Sequence, residues 1–190
     1  MSSNFTVLYD ACVLYPAPLR DLLVQLAISD LFRAKWTELI HDEWIRNVLK
    51  NRPDLTIEQL SKTKDLMNLH VRDCLVTDFE WLIPSLNLPD PNDSHVLAAA
   101  IASDSNQIIT FNLKDFPQSI LDAYEIEALH PDNFIANMID IYPFKVFNDV
   151  ETVRGRLRYP PKSFAEYLEI LLKQGLTVSV SMLREIKGEC

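Results

Sequence analysis

The sequence predicts an α/β protein, and three observations carry that prediction. Apolar segments rich in β-branched or aromatic residues at 4–9, 108–111 and 124–129 are too short for helices and read as buried strands. Longer segments with apolar residues at helical spacing alternate with them. Polar residues gather at the strand ends and helix starts of residues 88–116 (LPDPNDSHVLAAAIASDSNQIITFNLKDF), the positions where α/β folds bring side chains into one cleft.

The first strand, NFTVLY at 4–9, is followed at once by Asp10. That aspartate is either a carboxylate at the mouth of the sheet or the cap of the next loop. Pro16 and Pro18 close a turn over 11–18, and Leu19, Leu22, Leu23, Leu26, Ala27 and Leu31 then mark one face of a helix over 19–32. A short extended piece at 35–37 leads to a helix over 38–49. Within it Glu43 shares a face with Arg46 and Asn47, and taken alone it is better explained by a surface pair worth a few tenths of a kcal/mol than by function. His41 and His70 stand alone, in no metal-ligand spacing, and read as structural.

Thr56 and Gln59 form a capping-box pair before a helix over 56–74, and 75–83 reads as a mixed segment with an edge strand. In D-P-N-D, Asp90 suits an N-cap, Pro91 the first helical position and Asp93 the third, where a carboxylate closes a capping box. Helix-start chemistry alone therefore accounts for that tetrapeptide. The helix SHVLAAAIASD is apolar on more than one face and belongs in the interior. After the strand at 108–111, Leu113 and Phe116 return to the core and leave Thr110, Asn112 and Asp115 at its end.

Past the strand at 124–129 the chain becomes helical, with helices over 130–140, 144–157, 163–173 and 177–187. Pro143 and the Pro160-Pro161 pair are the breaks. The division expected is a domain over 1–130 and a helical C-terminal extension over 131–190. Arg154, Arg156, Arg158 and Lys162 are the extension's basic cluster, suited to RNA backbone, to dimer packing, or simply to a solvated helix end.

Composition excludes several classes. The 190 residues include only three glycines, at 155, 175 and 188. A P-loop or dinucleotide-binding turn needs glycine where backbone amides approach phosphate, so neither is present. No apolar run approaches the roughly 20 residues of a membrane span. The first residues lack a basic region before Asp10, unlike a signal peptide. Cys12, Cys74 and Cys190 form no close pair, which points to a reducing compartment and a cytoplasmic protein. The formal net charge of -9 argues against a simple phosphate-gripping surface, unless bound cations cancel part of it.

Each feature has its own structural explanation; the conjunction does not. YDACVLYPAPLRDLL, IHDEWIRN and LPDPNDSHVLAAAI…IITFNLKDFP together resemble the PIN-domain nucleases, in particular the VapC-like toxins of bacterial toxin–antitoxin modules. The resemblance implies a three-layer α/β/α sandwich with a mostly parallel sheet and acidic residues at the carboxyl ends of its strands. It also implies a Mg²⁺- or Mn²⁺-dependent endoribonuclease, a cognate antitoxin and homodimers. By position Asp10 resembles the family's first metal-binding aspartate, Glu43 its helical glutamate and Asp93 the aspartate opening the central helix. The fourth acidic position falls in TFNLKDF, where Asn112 stands in a slot often filled by aspartate and Asp115 is the nearest carboxylate. Asp90 would support the site or only cap the helix. Thr110 and Asn112 would orient water or phosphate, and Arg46 would meet substrate phosphates.

Hard oxygen donors suit Mg²⁺ or Mn²⁺ and require no histidine or cysteine. Two readings compete with the nuclease: a non-catalytic PIN-like module that binds RNA or protein, and a phosphatase with Asp10 as nucleophile. Such phosphatases carry a second aspartate two residues on, where this chain has Cys12.

Overall fold

The structure, a computed structural model, describes residues 5–188. Strands β1 (Thr6–Tyr9), β2 (Arg33–Lys35), β3 (Gln107–Ile109) and β4 (Glu127–Leu129) form one parallel sheet in the order β2-β1-β3-β4. In register, Val7 faces Ala34, Leu8 faces Ile108, and Ile108 faces Ala128. Val7, Leu8, Tyr9, Ile108 and Ile109 are all fully buried. Helices cover the sheet, which is why its central strands show no polar alternation.

The strand order fixes the site. From β1 the chain goes to one side for β2, then returns past β1 to place β3 on the other side. The winding reverses between β1 and β3, and the crevice beyond their carboxyl ends is where such sheets bind ligands. Asp10 directly follows β1, and Thr110 directly follows β3.

Helices α1 (Ala11–Leu14), α2 (Ala17–Ile28), α3 (Glu38–Asn51), α4 (Ile57–His70) and α5 (Ser94–Ala102) come before β3. Then follow α6 (Gln118–Leu121), α7 (Pro131–Ile141), α8 (Pro143–Arg156), α9 (Phe164–Leu172) and α10 (Thr177–Lys187). The Thr37 hydroxyl accepts from the Ile40 N–H to start α3, and Thr56 with Gln59 makes the expected capping box of α4. Ser163 and Glu166 form a second box at α9, and Gly175 takes a positive φ of 82° beyond that helix's end.

Several boundaries differ from the sequence reading. The helix expected over 19–32 begins at Ala17 and ends at Ile28, because Asp30 turns into the left-handed region (φ 56°) and Arg33–Lys35 pairs with β1. The turn expected over 11–18 contains the one-turn helix α1. Residues 75–83 contribute one bridge, Leu75 to Trp36, and then a 3-10 turn, Glu80–Ser85; Asp78 at φ 59° redirects the chain before a strand can extend. The first strand starts at Thr6, and Asn4 lies outside the described residues.

Tyr9 stacks on Trp36 with ring centroids 6.1 Å apart, and Phe32 meets Phe134 of α7 edge-on at 5.0 Å. Phe134, Val150, Leu168 and Leu183 from the C-terminal helices join the same buried cluster as the sheet. Among the described residues no helix is long and apolar enough to cross a membrane.

Candidate active site

At the carboxyl end of β1 the chain turns into α1, and Asp10 occupies the N-cap position without a side-chain cap bond. Its carboxylate looks across to β3 instead. Oδ2 accepts the Thr110 hydroxyl at 2.7 Å and the Cys12 thiol at 3.0 Å. Asp10 is 3% exposed. Burial pushes its pKa up, the Thr110 and Cys12 hydrogen bonds oppose that, and the negative charge of Glu43 adds to the rise.

Thr110 is fully buried, and its hydroxyl also accepts the backbone N–H of Asn112 at 2.9 Å. In this arrangement the Thr110 proton is engaged by Asp10, so the hydroxyl fixes that carboxylate. Cys12 lies within 3.3 Å of the Thr110 hydroxyl and accepts the Phe111 N–H at 3.3 Å. Burial, and then the Asp10 charge, raise its thiol well above the ordinary range, so it stays protonated and donates.

The tetrapeptide D-P-N-D divides its labour. Asp90 Oδ1 accepts the Asn92 backbone N–H at 2.9 Å and caps a 3-10 turn, Pro91–Asp93. Helix α5 starts only at Ser94, so Asp93 is its N-cap residue and makes no side-chain cap bond. The capping box expected of Asp93 is absent. The half-buried Asp93 carboxyl is pushed up to about 6, first by desolvation and then by the negative charges of Asp10, Asp90, Asp115 and Glu43. Four carboxylates from three stretches of sequence thus act on one group.

A cleft of about 690 Å³ contains this cluster; its lining includes Glu43, Arg46, Asp90, Asp93, Asn112 and Asp115. Every other acidic or amide residue expected at the site therefore opens on one space, beside the buried Asp10. Asn112 and Asp115 both reach it, and the Asp115 charge is felt at Asp93. Glu43 pairs with neither Arg46 nor Asn47; its Oε2 lies 3.5 Å from His95 Nε2. Arg46 lines the cleft, exposed.

His95 and Cys12 are the residues the sequence reading passed over. The signal for His95 was an imidazole in the first turn of an otherwise apolar helix, two residues after Asp93. Cys12 offered no comparable signal, because its partner Thr110 follows β3 and is distant in the chain. His41 is structural as expected: it is fully buried, with Nε2 3.0 Å from Asn68 Oδ1 and Nδ1 accepting Trp44 Nε1 at 2.9 Å.

The donor set fits a hard divalent cation. Asp10, Glu43, Asp93 and Asp115 offer carboxylate oxygens, the ligands Mg²⁺ and Mn²⁺ prefer. Among the described residues no three His, Cys, Asp or Glu side chains stand close enough for a ready-made metal cage. Two carboxylates about 5 Å apart repel by roughly 3 kcal/mol at an effective dielectric near 20, a cost that a bound cation removes. The raised Asp93 carboxyl registers the same repulsion.

The chain is also similar to known proteins. The PIN domain family model matches residues 6–114, and the VapC50 C-terminal domain model matches residues 131–185. A stretch of 50 residues is 50% identical to a Mycobacterium tuberculosis protein named "Putative ribonuclease VapC50", covering 26% of this chain and 30% of that protein. No solved structure matches the chain. With a PIN match over more than half its length, and VapC50-type helices after it, the chain belongs to the PIN-domain family and is VapC-like.

Proposed function

We propose that this protein is a Mg²⁺- or Mn²⁺-dependent endoribonuclease, the toxin of a toxin–antitoxin pair. The observation that carries the reading is Asp93: a carboxyl at a helix start, uncapped, and raised to about 6 by burial and four neighbouring carboxylates. Such a concentration of like charge destabilises the protein on its own and is expected where cations bind.

Asp10 and Asp93 are the principal ligands, with Glu43 and Asp115 completing the acidic surround. When bound, the cation supplies positive charge to the scissile phosphodiester and lowers the pKa of water beside it. Thr110 and Cys12 both donate to Oδ2 of Asp10 and so fix its carboxylate beside the cleft. Asp90 caps the turn and adds field at Asp93. Asn112 hydrogen-bonds water or phosphate, and Arg46 contacts an RNA phosphate at the rim. Residues 1–130 form the nuclease domain and 131–190 a helical extension that completes its core. The antitoxin places cationic side chains in the acidic cleft, and the protein works in the cytoplasm as a homodimer.

Hydrolysis of RNA by the purified protein tests this. Cleavage is expected with Mg²⁺ or Mn²⁺, none with a chelator, and about 10³-fold less in Asp93→Asn. Wild-type cleavage by Asp93→Asn, or cleavage that survives chelation, contradicts it. Phosphomonoester hydrolysis without RNA cleavage would favour the phosphatase reading, which lacks its second aspartate because position 12 is Cys12.

A further inference from the structure

His95 sits in the first turn of α5 and lines the same cleft as Glu43 of α3. Its side chain is 15% exposed, and Nε2 lies 3.5 Å from Glu43 Oε2. The other ring nitrogen, Nδ1, is enclosed and has no hydrogen-bond partner. A neutral imidazole carries one proton. On Nδ1 that proton would be a buried donor with no acceptor. On Nε2 it faces a carboxylate, and only a lone pair is left unmatched, which is the lesser loss.

His41 shows what a purely structural histidine looks like in this chain, with both nitrogens engaged. His95 differs: one nitrogen is orphaned and the other lies 3.5 Å from an acidic residue of the cleft. We propose that His95 is the positioning residue of Glu43, donating Nε2–H to its carboxylate and thereby tying α5, which carries Asp93, to α3. The inference rests on reading Glu43 as part of the metal-holding surround. At 3.5 Å the contact is longer than a formed hydrogen bond, and contacts of this kind tighten when a site is loaded.

Two measurements test it. In wild-type protein labelled with ¹⁵N-histidine, nuclear magnetic resonance reads the tautomer directly. The proton is expected on Nε2, and that signal should move when Mg²⁺ is added; a proton on Nδ1 overturns the proposal. Calorimetric titration with Mn²⁺ then compares two variants whose folding is checked by thermal melting. His95→Phe keeps the ring and loses the donor, and should weaken Mn²⁺ by about 10–100-fold, as loss of an outer-sphere partner does. His95→Gln keeps a donor at the end of the side chain and should retain most of the affinity. Equal losses in the two variants, or wild-type affinity in His95→Phe, overturn the proposal. Glu43→Gln, titrated alongside, separates the two readings: wild-type affinity there removes Glu43 from the site, whereas weak binding there with tight binding in His95→Phe removes only the role of His95.

Discussion

Asp93 and Asp132 both sit at helix starts, and their carboxylates have opposite surroundings. Asp132, in the first turn of α7, is 4% exposed and serves as the missing cap of α10. Its oxygens accept the Val178 and Ser179 backbone N–H groups at 2.9 Å each, the Ser179 hydroxyl at 2.6 Å and the Thr177 hydroxyl at 3.3 Å. Burial works to raise its pKa, but these donors outweigh burial and hold it below the usual value. Asp93 has no such donors and four acidic neighbours, and its pKa rises to about 6. One carboxylate is saturated by the fold, and the other is left in want of a positive charge. The difference marks Asp132 as architecture and is the ground on which we propose Asp93 for the chemistry.

The largest expected effect breaks the second half of that comparison. Asp93→Asn or Asp10→Asn should lower metal-dependent RNA cleavage by about 10³-fold, since several kcal/mol of transition-state stabilisation leave with the cation. Single-turnover rates on RNA would measure it, and circular dichroism should show an unchanged fold.

The next breaks the first half. Asp132→Ala leaves the first turn of α10 without acceptors and should destabilise the protein by about 3 kcal/mol in urea unfolding. Its depressed pKa means the anchor is in force above the ordinary carboxylate range and is lost as pH falls through the folded value. The folded fraction of that variant should still bind Mn²⁺ normally.

Metal should sharpen the contrast from the other side. Mn²⁺ at a hundred times its dissociation constant should stabilise the wild type by about 2.7 kcal/mol. Asp132→Ala should gain as much, and Asp93→Asn little; thermal melts with and without chelator read this.

The smallest effect is the most diagnostic of frustration. Asp93 ionises at about 6 in the folded state and near 3.8 when free, so the folded protein holds more protons between those values. Stability therefore falls as pH rises through that window, and the penalty is complete above it. Without metal, Asp93→Asn should be the more stable protein at neutral pH, by less than about 1 kcal/mol once solvent screening is counted. The gain should vanish near pH 4, and its absence at neutral pH would contradict the frustrated-site account.

Much of this was legible in the chain. The buried strands showed as short apolar runs at 4–9 and 108–111, and α4 showed its start in Thr56 and Gln59, whereas the Thr37 and Ser163 caps of α3 and α9 emerged with the structure. Strand β2 was hidden, since Arg33–Lys35 carries two charges and a helical pattern ran into it; pairing with β1 decided it. Asp10, Glu43, Asp93 and Asp115 could be nominated by position, but their mutual field depends on the β1–β3 switch point, which no local pattern encodes. The commitment of Thr110 to Asp10, the thiol of Cys12 and the orphaned nitrogen of His95 are properties of tertiary neighbours, and only the fold reveals them.

The central claim is that the charge gathered around Asp93 exists to hold a divalent cation. Anomalous scattering from crystals soaked in Mn²⁺ tests it most directly, because it locates the metal without reference to activity. The account predicts a Mn²⁺ peak in the cleft, bonded to Asp10 and Asp93 carboxylate oxygens, with Glu43 and either Asn112 or Asp115 beside it. A cleft without Mn²⁺ at millimolar concentration, or a peak held by other residues, would contradict it.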